Sequence, residues 1–64
     1  MSKVAQFVER YEVDGYDLIC VMEAMGRRLG QSSDSLLAAA LVDRFAALHI
    51  LTAVRRLSAQ KNRG

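Results

Sequence analysis

GRRLGQSSDSLLAAAL, residues 26–41, sets a compact polar turn ahead of a helix whose opening turns are apolar on nearly every side. Gly30 suits the left-handed position that ends a helix, and Ser32 or Ser33 can cap the next one by accepting from its free N–H groups. Asp34 then falls in the first turn, where its charge complements the helix dipole. From there to about residue 59 every side chain is compatible with helix and no glycine interrupts. Such a helix cannot sit on the rim of a small globule, because each exposed apolar side chain forgoes its burial free energy.

Length sharpens the problem. A chain of 64 residues buries only about 60% of the surface that it exposes when unfolded, and domains of this size lean on disulfides, a metal or a second subunit. Cys20 is the only cysteine and His49 the only histidine, so an intramolecular disulfide and a zinc ligand set of His/Cys type are both excluded, and neither metal nor cofactor is expected. Oligomerisation remains. The expectation is a single small dimerising domain over residues 1–64, with the apolar side chains around Leu37, Leu41 and Leu48 shielded by a twin chain. Neither proline, linker nor repeat divides the sequence.

The opening MSKVAQF lacks the apolar core of a signal peptide. The longest apolar run, FAALHILTAV at residues 45–54, is far shorter than the roughly 20 residues that span a bilayer. With a lone cysteine that fits a reducing compartment, a cytoplasmic protein without membrane partners is expected. Charge is divided unevenly. Residues 1–29 hold four cations against five acids, whereas residues 30–64 hold five cations against two. The tail beyond Val54 is wholly basic, which either attracts phosphate or completes a helix C-terminus before a solvated end.

Ahead of the turn, Leu18, Val21, Met22, Met25 and Leu29 recur at three- and four-residue steps, a single apolar helical stripe. Asp14 is placed to cap that helix, with Asp17 where the acid of a capping box belongs. Two helices follow, over about residues 15–29 and 34–59, and the chain is mainly α. The first thirteen residues allow two readings. Val4, Phe7, Val8 and Tyr11 have helical spacing with Ser2 as cap, and if Gly15 is tolerated the whole chain becomes a hairpin of two long helices that dimerises into a four-helix bundle. Alternatively FVERYEV is a strand, with Tyr11 and Val13 on one side and Arg10 and Glu12 on the other.

The run from Asp17 to Phe45 places Gly30, Ser32, the polar pair Asp34 and Ser35, the leucines Leu36 and Leu37, then Ala40, Leu41 and Phe45 behind an apolar-periodic helix. In this it resembles the helix–turn–helix portion of ribbon-helix-helix DNA-binding proteins, the class of the Arc and methionine repressors. The resemblance implies an intertwined homodimer. The N-terminal segments would pair as an antiparallel ribbon with Tyr11 and Val13 in the interface, and the second helices would cross the two-fold axis through Leu37, Leu41, Phe45, Leu48 and Leu51. It implies a small dimeric transcriptional regulator whose ribbon presents Arg10 to the DNA major groove while Ser32 and Ser33 grip a phosphate. Lys3, Arg27, Arg28, Arg55 and Arg56 would add non-specific attraction. Arg10→Ala should then abolish salt-sensitive retention of DNA.

Glu9 and Glu12 flank Arg10, and acids repel phosphate. This favours the alternative function, a small helical interaction protein of the phage or plasmid inhibitor type that docks on a host regulatory protein without touching DNA. The docking surface would be the exposed portion of AALHILTAV, residues 46–54. No enzyme is expected, because His49 lies among Leu48, Ile50 and Leu51 with no nucleophile or acid at helical spacing beside it.

Overall fold

Ser2 opens the first element. Its Oγ accepts the Ala5 N–H at 3.1 Å, and helix α1 runs Lys3–Tyr11. The computed structural model describes residues 1–63, and among these the chain forms four helices and no strand. The ribbon-strand reading of the N-terminal segment is therefore corrected: Val4, Phe7, Val8 and Tyr11 do lie at helical spacing, and the face they make packs on the core with Phe7 fully buried. Phe7 and Tyr11, one turn apart, bring their rings to 4.6 Å in a tilted arrangement. An intramolecular helix satisfies this segment's backbone without the partner strand that a ribbon requires.

The all-α alternative is the reading that the structure fits, but with four helices in place of two long ones, because α1 stops before Gly15. Glu12 turns into the left-handed region at φ 55 and its N–H closes the helix onto the Val8 carbonyl at 2.8 Å. Asp14 then caps α2, Gly15–Leu29, accepting the Asp17 N–H on Oδ1 at 3.0 Å. Gly30, at φ 68, terminates α2 as expected, and the turn is tight enough that a Cβ on Gly26 would meet the Gln31 carbonyl oxygen at 2.6 Å. Ser32 caps α3, Ser33–Val42, by accepting the Ser35 N–H at 3.1 Å.

The predicted continuous helix over residues 34–59 is broken at Asp43. That residue is extended, at φ −124 and ψ 115, and serves the helices on both sides. Its N–H donates to the Ala39 carbonyl at 2.9 Å, while its own carbonyl accepts from the Ala47 N–H at 3.0 Å. Its carboxylate Oδ1 accepts the Phe45 N–H at 2.9 Å, and α4 runs Arg44–Arg63. The bend folds α4 back on α3, so that α3 touches each of the other three helices.

This arrangement explains how an apolar helix survives in so short a chain. Leu37 and Ala40 of α3 are buried with Phe7 of α1, Leu18, Val21 and Met22 of α2, and Ala47, Ile50, Leu51 and Val54 of α4. Each large side chain taken fully from water contributes about 1.5–3 kcal/mol. The radius of gyration, 11.1 Å, is close to the value of about 10.7 Å that a compact chain of this length should have. Leu37 and Leu51, assigned to a dimer interface from the sequence, are thus covered within one chain, and the core closes without a second one.

Candidate functional site

Helix α4 presents two opposite faces. Ala47, Ile50, Leu51 and Val54 point into the core, and the helical period turns Phe45, Leu48, His49, Thr52, Arg55 and Arg56 outward. On that outer side Phe45 is 84% and Leu48 54% exposed, and Val42, at the end of α3, is 87% exposed. Three large apolar side chains are therefore left in water at the α3–α4 corner of a molecule whose core is otherwise filled. A groove of about 460 Å³ runs beside them, lined by Tyr11, Arg44, Phe45, Ala47, Leu48 and Leu51.

The corner is built by the Asp43 bend. Because Asp43 caps the backbone N–H of Phe45, α4 starts where it does, and that start sets which residues face inward. The Thr52 hydroxyl donates to the Leu48 carbonyl at 2.9 Å, so it is satisfied within the helix. Arg44–Arg63 contains no aspartate or glutamate. The outer face therefore passes from apolar at its N-terminal end to cationic further along, with no acid of its own.

On the other flank of α4 lies a cleft of about 330 Å³ against the end of α2. Met25, Leu29 and Ala53 give it apolar walls, Arg28 and Arg56 supply its cations, and the His49 imidazole lies beside them. No acidic side chain lines it.

The DNA-contact candidates are dispersed over the molecule. Lys3 pairs with Asp34 at 3.2 Å, linking the start of α1 to the start of α3. Arg10 sits on α1, not on a ribbon, and its Nη1 donates to the Leu41 carbonyl at 2.9 Å. Ser32 is the cap of α3 and Ser33 its first residue, half-buried. Arg27 and Arg28 lie exposed in the last turn of α2, and neither they nor Arg55 and Arg56 enter an ion pair among the described residues. Of the interface candidates, Tyr11, Phe45, Leu48 and Leu51 do meet, around the groove; Val13 and Leu41 are half-buried.

One polar cluster was invisible to periodicity. Asp17, only 4% exposed, accepts from Ser58 Oγ at 2.8 Å and from Lys61 Nζ at 2.7 Å. Lys61 also sits over the Tyr16 ring, 5.2 Å from its centroid. The Lys61 hydrogen bond, then that of Ser58, holds the Asp17 carboxyl below its ordinary range against the opposing effect of burial. The same bond raises Lys61. The basic tail thus serves in part as a clamp on α2. Ser58 and Lys61 stand three apart, which is a same-face spacing, but nothing local marks Asp17 as their partner.

Among the described residues no three His, Cys, Asp or Glu side chains gather as a metal site would require, and no helix is long and apolar enough to cross a membrane. No family model matches the chain, and neither does any curated protein or any solved structure.

Proposed function

We propose that the chain is a small helical interaction protein that binds another protein through the α3–α4 corner and the outer face of α4. The observation that carries this reading is the exposure of Val42, Phe45 and Leu48 together, beside an apolar groove, on a molecule that has already closed its core. Contiguous apolar surface of this kind marks contact sites, and an aromatic anchor next to a pocket is the usual form of a binding hot spot. A homodimer of this chain would use the same patch, with Phe45, Leu48 and Tyr11 in place of Leu37 and Leu51.

Affinity capture with the whole chain tests the reading. One stoichiometric protein should be retained, rebind after purification, and lose at least about tenfold in affinity on Phe45→Ser. Because Phe45 is exposed, the variant should melt with the parent. Undiminished binding by both Phe45→Ser and Leu48→Ser would remove the proposal.

The DNA-regulator reading stands second. It is favoured by the four exposed arginines Arg27, Arg28, Arg55 and Arg56, which have no ion-pair partner among the described residues. With residues 3–11 helical, it rests on salt-sensitive attraction to phosphate and no longer on insertion of a ribbon.

A further inference from the structure

The outer face of α4 and the cleft behind it differ in chemistry, and together they specify what can lie across them. We infer that the partner segment is an acidic amphipathic helix, whose apolar side chains cover Val42, Phe45 and Leu48 and whose carboxylate enters the cleft bordered by Arg28, His49 and Arg56. This deepens the interaction reading above and rests on it.

Three observations support that occupant. The first is uncompensated charge: Arg28 and Arg56 line one small cleft, neither is ion-paired among the described residues, and no acid lines it. Two like charges held together favour an anion between them, and the Met25, Leu29 and Ala53 walls strengthen the attraction by excluding water. Guanidinium groups match a carboxylate in planar, bidentate geometry. The second is register. From Phe45 to Arg56 the axis of α4 advances about 16 Å, which a partner helix covers in three turns with anchors at i, i+4, i+7 and i+11. The third is shape, since the groove beside Phe45 and the cleft at Arg28 are both concave.

The other occupants fit less of this surface. A second copy that laid its own α4 there would bring one acid-free helix against another, so the arginines of each would face a helix without a carboxylate. A nucleic acid backbone would satisfy the arginines but leave Val42 and Phe45 in water. A bilayer would take the protruding apolar side chains and leave the concave cleft unfilled.

The test uses the whole chain and two synthetic amphipathic helical peptides with the same leucine stripe, one flanked by glutamates and the other by lysines. Binding is read by calorimetry and by amide shifts in solution spectra. The glutamate peptide should bind at least about tenfold tighter than the lysine peptide and shift residues at both Phe45 and Arg28. The double variant Arg28→Gln/Arg56→Gln should erase that difference while melting close to the parent. Equal binding of both peptides, lost on Phe45→Ser, overturns the acidic-helix inference and leaves the interaction reading intact. If neither peptide binds and sedimentation shows a dimer that Phe45→Ser dissolves, the occupant is a second copy and the inference fails. If duplex DNA or phosphatidylglycerol vesicles retain the chain at physiological salt when neither peptide does, both the inference and the interaction reading fail.

Discussion

Asp17 and Lys61, 44 positions apart in sequence, meet through an ion pair of 2.7 Å that fastens the first turn of α2 to the final turns of α4. The carboxylate is almost wholly covered and also accepts from Ser58, so its charge is held by two donors from one helix face. Without these contacts α4 would have only its apolar face to hold its C-terminal half down.

The pair makes stability depend on pH in a defined direction. Asp17 is depressed in the folded chain, mainly by its hydrogen bond from Lys61. Its contribution is therefore complete above the unfolded value of about 3.9 and is lost as pH falls through the lower folded value. Lys61 is raised, mainly by the same bond, so its contribution is complete below about 10.4 and is lost as pH rises through the folded value. Asp17→Asn should lower the melting temperature at neutral pH, and the gap from the parent should narrow below about pH 4. A gap that stays constant on acidification would show that the carboxylate's charge is not what holds α4.

Arg10 gives the second prediction. Its guanidinium donates to the Leu41 carbonyl, one of the last carbonyls of α3 that the helix itself leaves unpaired. Arg10→Ala should cost about 0.5–1.5 kcal/mol in chemical denaturation. It should leave any low-salt retention of DNA in place, whereas neutralising Arg27, Arg28, Arg55 and Arg56 together should remove it. Retention lost on Arg10→Ala alone, with the fold intact, would restore Arg10 as a DNA contact.

The elements that local chemistry dictates were legible in the sequence. Asp14 as cap of α2, Gly30 as its left-handed terminus and Ser32 as cap of α3 each act through one or two hydrogen bonds to near neighbours. Ser2 and the spacing of Val4, Phe7, Val8 and Tyr11 likewise favoured helix for α1 on local grounds; the strand reading drew its weight from the family resemblance of the following segment. The bend at Asp43 was not legible, because neither proline nor glycine marks it and Ala and Leu on both sides favour helix. Its consequence is tertiary: by folding back, the chain covers α3 on its own. Placing Leu51 inside and Phe45 outside depends on knowing where α4 begins, which no residue type marks. Tyr11, Phe45 and Leu48 enter the sequence reading as dimer-interface residues implied by the resemblance, and the structure brings them together around a groove; the cleft of Arg28, His49 and Arg56 joins two helices whose approach no sequence pattern reports.

Glu12 and Gly30 hold equivalent positions at the ends of α1 and α2, both in the left-handed region, at φ 55 and φ 68. Only glycine occupies that region without steric penalty. Glu12→Gly should therefore stabilise the chain by about 0.5–1 kcal/mol, and Gly30→Ala should destabilise it by about 1–2 kcal/mol. Opposite signs in the denaturation midpoints check the pair. A destabilising Glu12→Gly would mean that the side chain contributes more than the backbone strain it imposes.

Asp43 gives the most consequential prediction, because a single extended residue separates a bent chain from a straight one. Asp43→Ala removes the acceptor for the Phe45 N–H, a loss of about 1 kcal/mol, and installs the residue with the highest helix propensity. Both changes favour one helix running from α3 into α4. Straightening lifts Ala47, Ile50, Leu51 and Val54 off their own core, and a second chain opened in the same way can receive them, which is a domain swap. Sedimentation should show the dimer constant of Asp43→Ala raised at least about tenfold over the parent. Asp43→Gly, which weakens the cap only slightly and disfavours helix, should not show this shift. If Asp43→Ala melts earlier yet sediments like the parent at every concentration, then the packing of α4 against α3 enforces the bend, and the Asp43 cap only follows it.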